Sequence, residues 1–249
     1  MAKYKKIVVA GPLVIETVYP APHPRDTTRV RMDKRKASSE AQQRMNLKYC
    51  YQKMELEIAA NFGVKDLFVC LTYDDDHLPA TRKEAQEKIR AFWKRLRRVR
   101  AKQKKELRYL YVTENKHTAG RWHHHALINA TGMDYAMIRE LWGQGGVELT
   151  QIRLDGEKTY ESLARYLCKE QREKVGQRLW SGSLNLRKPE KECFRVSDDT
   201  TVRAPRNAEV LVEAETKTEY AHFKYIKYLA GGWPMAKVHE KRKRPHKRV

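Results

Sequence analysis

The feature that most constrains the fold is the order of strand-like and helix-like patterns between residues 66 and 176. Four short apolar runs are typical of strands: Asp66–Tyr73, Arg108–Thr113, Trp122–Asn129 and Gly146–Arg153. Three stretches carry apolar residues at helical spacing: Thr81–Lys105, Met133–Trp142 and Thr159–Gly176. The order is therefore strand, helix, strand, strand, helix, strand, followed by one more helix.

This order predicts an α+β fold with the ferredoxin-like arrangement, β-α-β-β-α-β, and an appended helix. In that arrangement the first and third strands are central and the helices cover one face of the sheet. The opposite face is then free to carry a site. Extensions flank this region, because Lys5–Tyr19 predicts two strands, Ser38–Asn61 a helix and Glu209–Lys217 a further strand.

The formal charge of +21 indicates a polyanionic partner, and nucleic acid is the usual one. Much of the charge lies in Arg25–Lys36, Lys94–Arg108 and the tail Lys237–Arg248. A charge run is often only a solvated face or a terminal arm, but these three clusters carry the same sign.

No apolar run long enough for a membrane span is present, and the N-terminus is interrupted by Gly11, Pro12 and Glu16, so we expect a cytoplasmic protein. The four cysteines are scattered without a CxxC pair, which predicts neither a disulfide framework nor a cysteine-zinc site.

The segment Tyr109–Ala130 predicts a β-hairpin with metal-ligand residue types on both arms. Because strand side chains alternate, His123 and His125 point to one face and His124 to the other. Glu114 on the preceding strand is available as a third ligand, although the strand register is not readable from sequence. Three consecutive histidines also fit a solvated patch or an adventitious zinc site.

The appended helix places Tyr166 and Lys169 three positions apart, on one helix face. Next to a divalent metal, this pair suggests attack of a phenolate on a phosphodiester, giving a 5′-phosphotyrosyl intermediate and a free 3′-hydroxyl. Alone, the pair also fits a half-buried aromatic beside a surface charge. Tyr160 lies on nearly the opposite helix face and is predicted to pack.

Three motifs resemble those of the HUH endonuclease superfamily, specifically the rolling-circle replication initiators of phages, plasmids and related mobile elements. They are Phe68–Tyr73 (FVCLTY), the histidines His123–His125 after Gly120 and Arg121, and Tyr166–Lys169 (YLCK). The tyrosine follows the histidines, as in replication initiators; conjugative relaxases usually have the reverse order. Further segments that look alike are Asn61-Phe62, Leu141–Gly143 and Ser183–Pro189.

The resemblance implies that His123, His125 and Glu114 hold Mg²⁺ or Mn²⁺, that Tyr166 is the nucleophile and that Lys169 stabilises charge or positions the phosphate. Two imidazoles shift the metal preference toward Mn²⁺ or Zn²⁺. His117 and Asp74–Asp76 are weaker ligand candidates. We predict an N-terminal extension at 1–62, the endonuclease domain at 63–180, a C-terminal extension packing on it at 181–236 and a basic tail at 237–249.

The implied activity is origin-specific nicking and joining of single-stranded DNA to initiate rolling-circle replication. No Walker-type GxxxxGK[ST] motif occurs, which implies a separate host helicase, and the 3′-hydroxyl would prime a host polymerase. The alternatives are a single-strand transposase of the same superfamily and a non-catalytic nucleic-acid-binding module. Aromatics near the C-terminus, among them Phe223, Tyr225 and Tyr228, fit either core packing or base stacking.

Overall fold

The computed structural model describes residues 3–20, 40–115, 121–132, 134–154, 159–169, 178–217 and 222–231. The chain divides into two compact units, one comprising Met1–Met45 with Lys188–Val249 and the other Asn46–Arg187. The basic clusters at 25–36 and 237–248 lie outside the described residues, as does His117. No described helix is long and apolar enough to cross a bilayer.

The second unit contains an antiparallel five-stranded sheet that confirms the predicted ferredoxin-like order. Its strands are β3 Leu67–Thr72, β4 Tyr109–Asn115, β5 Trp122–Ile128, β6 Val147–Gln151 and β7 Ser181–Gly182. The strand order is β6-β3-β5-β4-β7, so β3 and β5 are central as expected, and β7 adds an edge strand beside β4. The helices of the chain are α1 Glu40–Asn61, α2 Arg82–Lys102, α3 Asp134–Trp142 and α4 Glu161–Leu167.

One face of this sheet carries the core with α2 and α3. Leu67, Val69 and Leu71 alternate along β3, and their cluster includes Phe92 and Trp93 of α2 and Trp142 of α3, all buried. Thr81 begins α2 by accepting a hydrogen bond from the Glu84 N–H, as an N-cap should. With the apolar side chains committed to the helices, polar residues on the alternate positions face the other way.

A buried ion pair joins the end of α2 to the start of α3. Arg100 donates hydrogen bonds to Asp134 Oδ1 at 3.0 Å and to Asn129 Oδ1 at 2.9 Å. Burial lowers the pKa of Arg100, and the Asp134 carboxylate opposes that shift. The basic run Lys94–Arg108 is therefore not uniformly a solvated face, because Arg100 is fully buried within it.

The first unit contains another antiparallel five-stranded sheet, built from the two ends of the chain. Its strands are β1 Lys3–Ala10, β2 Leu13–Pro20, β8 Glu190–Val196, β9 Glu209–Lys217 and β10 His222–Leu229, in the order β8-β1-β2-β10-β9. Ile7, Val14, Val18, Val202, Ile226 and Tyr228 form its buried core. The predicted N-terminal hairpin thus shares a sheet with C-terminal strands, while the domain limits drawn from the sequence stay a prediction.

Two elements differ from the sequence prediction. The described part of α4 ends at Leu167, so Lys169 follows the helix instead of lying on its face, and residues 170–176 are outside the described part. β8, with the sequence EKECFRV, was not predicted. Its largely polar, mostly exposed side chains give no apolar alternation, and its backbone pairing with β1 supplies the order.

Candidate metal centre and nucleophile

The strand register of the second unit brings the three predicted ligands to one face. Glu114 of β4 lies directly opposite His123 of β5, and Val112 lies opposite His125. Directly paired residues of antiparallel strands point to the same side, so Glu114, His123 and His125 share the face away from α2 and α3. The sequence identified these residues, but only the structure supplies their register.

The three side chains form a compact, buried cluster. Oε2 of Glu114 lies 3.5 Å from His123 Nε2 and 3.7 Å from His125 Nε2. The candidate ligand atoms all lie within 4.8 Å of one another, and all three residues are buried. Two imidazole nitrogens and a carboxylate oxygen at this spacing are a donor set that suits a divalent transition metal or Mg²⁺.

Glu114 itself indicates that the cluster accommodates a cation. Its Oε1 atom is buried and accepts no hydrogen bond from any described residue. Burial would raise the pKa of Glu114, but contacts with His123 and Lys169 outweigh it, and the net pKa is lowered. A buried carboxylate that stays charged and keeps an oxygen without a donor is suited to metal ligation.

Tyr166 and Lys169 both reach this cluster. The Tyr166 hydroxyl lies 3.0 Å from His125 Nε2, and Lys169 Nζ lies 3.0 Å from Glu114 Oε2. Lys169 Nζ also sits 4.0 Å from the centroid of the Tyr166 ring. Burial lowers the pKa of Lys169, but the contact with Glu114 outweighs it and raises the pKa overall, so the ammonium stays charged. Tyr166 is 42% exposed and is accessible to a large substrate.

A family comparison agrees with this arrangement. Residues 66–171 match a family of replication-associated proteins that is described by its member ORF2. The matched segment contains all five predicted site residues, and it confirms the predicted resemblance to replication-associated proteins at the level of this family. Neither the curated proteins nor the solved structures compared with the chain gave a match.

Within the replication-associated segment, Phe68 is a site residue whose role the sequence did not reveal. Its ring stacks on His125 with centroids 5.4 Å apart and meets the Tyr166 ring edge-on at 6.1 Å. Phe68 therefore holds the imidazole and the phenol in place from β3. The available signal was its parity with Cys70, which pairs with His125 across the sheet.

His124 faces the helices, as predicted. It is fully buried, with Nε2 2.7 Å from the Tyr73 hydroxyl and Nδ1 3.0 Å from Thr113 Oγ1. Burial, with a smaller contribution from His123 and His125, lowers the pKa of His124 to about 3. It is therefore a neutral, hydrogen-bonded core residue.

The other candidates lie elsewhere in the replication-associated segment. Asp74 pairs with His77 and Asp75 with Arg121, in an exposed loop. Tyr160 is buried, and its hydroxyl donates a hydrogen bond to the Phe62 carbonyl at 3.3 Å. All four cysteines are in the described part of the chain and none forms a disulfide.

Replacing His124 with leucine is expected to destabilise the protein without removing a metal ligand. The Thr113 hydroxyl would lose its buried partner, which costs about 1–3 kcal/mol. Chemical denaturation measures the loss, and Mn²⁺ titration of the folded variant should match the wild type. A large drop in Mn²⁺ affinity at unchanged stability would instead make His124 a ligand.

Proposed function

We propose that the protein is a metal-dependent endonuclease that nicks and rejoins single-stranded DNA at an origin, through a 5′-phosphotyrosyl intermediate, to begin rolling-circle replication. The observation that carries the proposal is the Tyr166 hydroxyl 3.0 Å from His125 Nε2, at the edge of a buried Glu114–His123–His125 cluster. The replication-associated family match supports the general role.

His123, His125 and Glu114 would hold Mn²⁺ or Mg²⁺. When bound, the ion supplies Lewis acidity toward a phosphate oxygen and so favours charge development on phosphorus. Glu114 contributes the negative charge that two neutral imidazoles lack. Mn²⁺ fits this mixed nitrogen and oxygen donor set, whereas purely oxygen ligation is typical of Mg²⁺.

Tyr166 is proposed as the nucleophile. Its oxygen forms a bond to phosphorus while the bond between phosphorus and the 3′-oxygen breaks. The phenolic proton leaves to solvent and the departing 3′-oxygen takes one up, which yields a 3′-hydroxyl and a 5′-phosphotyrosyl ester. Attack by a 3′-hydroxyl on that ester reverses the step and rejoins the ends.

Lys169 is proposed to bind the phosphate and to position the phenol. Its ammonium contacts both Glu114 and the Tyr166 ring, at 3.0 Å from Glu114 Oε2 and 4.0 Å from the ring centroid. A side chain that is 44% exposed can turn from the carboxylate toward a bound phosphodiester without a change in the backbone. There it would offset the negative charge that builds up on the phosphate oxygens.

The partners follow from this chemistry. The 3′-hydroxyl released by nicking would prime a host polymerase, and a separate host helicase would unwind the duplex, in the cytoplasm of the host. A non-catalytic nucleic-acid-binding module would account for the charge of +21. It would give no role to a buried carboxylate, two histidines, a tyrosine and a lysine gathered within contact distance.

Mapping the covalent product tests the proposal. The full-length protein is incubated with Mn²⁺ and labelled single-stranded candidate origins, and adducts that survive denaturant are digested and sequenced by mass spectrometry. We expect one modified peptide, containing Tyr166, attached to a 5′-phosphate, and a partner fragment ending in a 3′-hydroxyl. Attachment through a 3′-phosphate, or to another residue, would contradict the mechanism; no adduct on any origin would favour the binding module.

A further inference from the structure

The sheet of the first unit has two faces of opposite charge. Directly paired residues share a face, so the register assigns each side chain of β8 and β9. The face that carries the core also bears the carboxylates at the sheet margins: Glu190, Glu192, Glu213 and Glu215. Alternate residues lie on the other face, where Lys191 pairs with Val8, Cys193 with Lys6 and Arg195 with Tyr4.

This second face also bears aromatic rings at one end. Tyr4 pairs directly with Tyr19, and Tyr225 pairs with Thr17, in the row next to them. Phe223, two residues before Tyr225 on β10, points to the same side and is 42% exposed. The rings of Tyr4 and Tyr19 stack with centroids 6.2 Å apart and an interplanar angle of 26°.

We call the surface formed by Tyr4, Lys6, Tyr19, Arg195, Phe223 and Tyr225 the aromatic face. Lys6 and Arg195 are exposed on it, next to the aromatic residues of β1 and β2. The described carboxylate on this side of the sheet is Glu209, which pairs with Leu229 at the far end of β10. There Ala10 and Leu13 are buried, so the accessible part of the side is its aromatic and basic end.

We propose that the aromatic face binds single-stranded DNA. Exposed rings between cations are the combination that binds single strands, since every base has a face to stack and every phosphate a charge to neutralise. Duplex bases are already stacked on one another and offer no face to such rings. The segregation of carboxylates to the opposite side removes the charge that would repel phosphate. The choice of DNA as occupant rests on the proposed function.

The consequence is a DNA contact separate from the nucleophile. The aromatic face belongs to the unit of Met1–Met45 and Lys188–Val249, whereas Tyr166 and the ligand cluster belong to Asn46–Arg187. Two contacts on one chain bind a long strand more tightly than either does alone. The face would thus retain single-stranded DNA independently of the chemistry at Tyr166.

The test compares variants of the full-length protein for binding of a fluorescein-labelled (dT)₂₀ by anisotropy. Tyr4→Ala combined with Phe223→Ala is expected to weaken binding about tenfold or more, because stacking is lost at two positions. Tyr4→Phe keeps the ring and should bind like the wild type. Phe194→Ala is the matched control, since Phe194 is 43% exposed on the neighbouring position of β8 but faces the opposite side.

Charge is tested separately. Lys6→Gln with Arg195→Gln should flatten the dependence of log affinity on log salt by about 0.7 for each phosphate that the variant no longer neutralises. Unchanged affinity in the Tyr4→Ala, Phe223→Ala variant, or an equal loss in Phe194→Ala, overturns the proposal. Equal competition by a duplex of the same length overturns it too.

These outcomes are distinct from those of the nuclease proposal. A wild type that forms no adduct, together with a tenfold loss in the double variant, sinks the nuclease and leaves the aromatic face standing. An adduct at Tyr166 with no loss in the double variant does the reverse. Circular dichroism and thermal melting of every variant show that a loss of binding is not a loss of folding.

Discussion

Replacing Tyr166 with phenylalanine is expected to abolish the covalent adduct with single-stranded origin DNA. The variant keeps the ring that contacts Phe68 and lies beneath Lys169, and it loses only the hydroxyl that lies 3.0 Å from His125 Nε2. A missing nucleophile typically costs a factor of roughly 10⁴ or more in rate. Denaturing gels with labelled origin oligonucleotides and Mn²⁺ measure it.

The matched control is Tyr160→Phe. Tyr160 stands six positions earlier in the chain, is buried, and has a pKa raised by burial to about 12. Its hydroxyl bonds to the Phe62 carbonyl, so this variant should lose a little stability and no adduct. An adduct that persists in Tyr166→Phe and disappears in Tyr160→Phe would mean that Tyr160, and not Tyr166, is the nucleophile.

The sequence was sufficient for the ferredoxin-like order because each of its elements is a local pattern. β3 and β5 are continuous apolar runs and α2 carries Ile89, Phe92, Trp93 and Leu96 on one side. The right-handed rules of such folds then leave few arrangements open. Alternation alone also separated His124 from His123 and His125.

Non-local pairing was not readable. Glu114 reaches His123 only because β4 and β5 pair in one register, and a slip of one residue would turn it to the opposite face. The sheet of the first unit is a stronger case, since β1 at the N-terminus pairs with β8 almost two hundred residues later. Nothing in EKECFRV indicates a strand until its partner is known.

Two features of the site depend on tertiary contacts that a motif does not contain. Helical spacing predicted that Lys169 approaches Tyr166, but the described helix ends at Leu167 and the ammonium reaches the ring from beyond it. Phe68 was part of a motif, yet its stacking on His125 follows from the pairing of β3 with β5. The motif therefore identifies the residues, and the sheet register determines how they meet.

Replacing Glu114 with glutamine is expected to lower the affinity for Mn²⁺ by more than about 100-fold. The change is nearly isosteric but removes the one negative charge of the cluster, and loss of supporting groups alone typically costs 10- to 100-fold. Isothermal titration calorimetry measures the affinity directly. Thermal melting gives an independent readout, because an ion that binds only the folded state raises the melting temperature in proportion to log concentration.

The same change tests whether Glu114 is there for binding or for folding. A buried carboxylate with a donorless oxygen is costly, and glutamine removes that cost while giving up the contact with Lys169, a side chain 44% exposed to water. The metal-free variant should therefore melt within a few degrees of the wild type and lose the shift caused by Mn²⁺. Glu148→Gln is the control, since Glu148 of β6 is exposed and pairs with Cys70, on the same face as the cluster. A metal-free protein that unfolds in Glu114→Gln, or equal Mn²⁺ affinity in the two variants, would make Glu114 a structural residue and leave the two histidines without their third ligand.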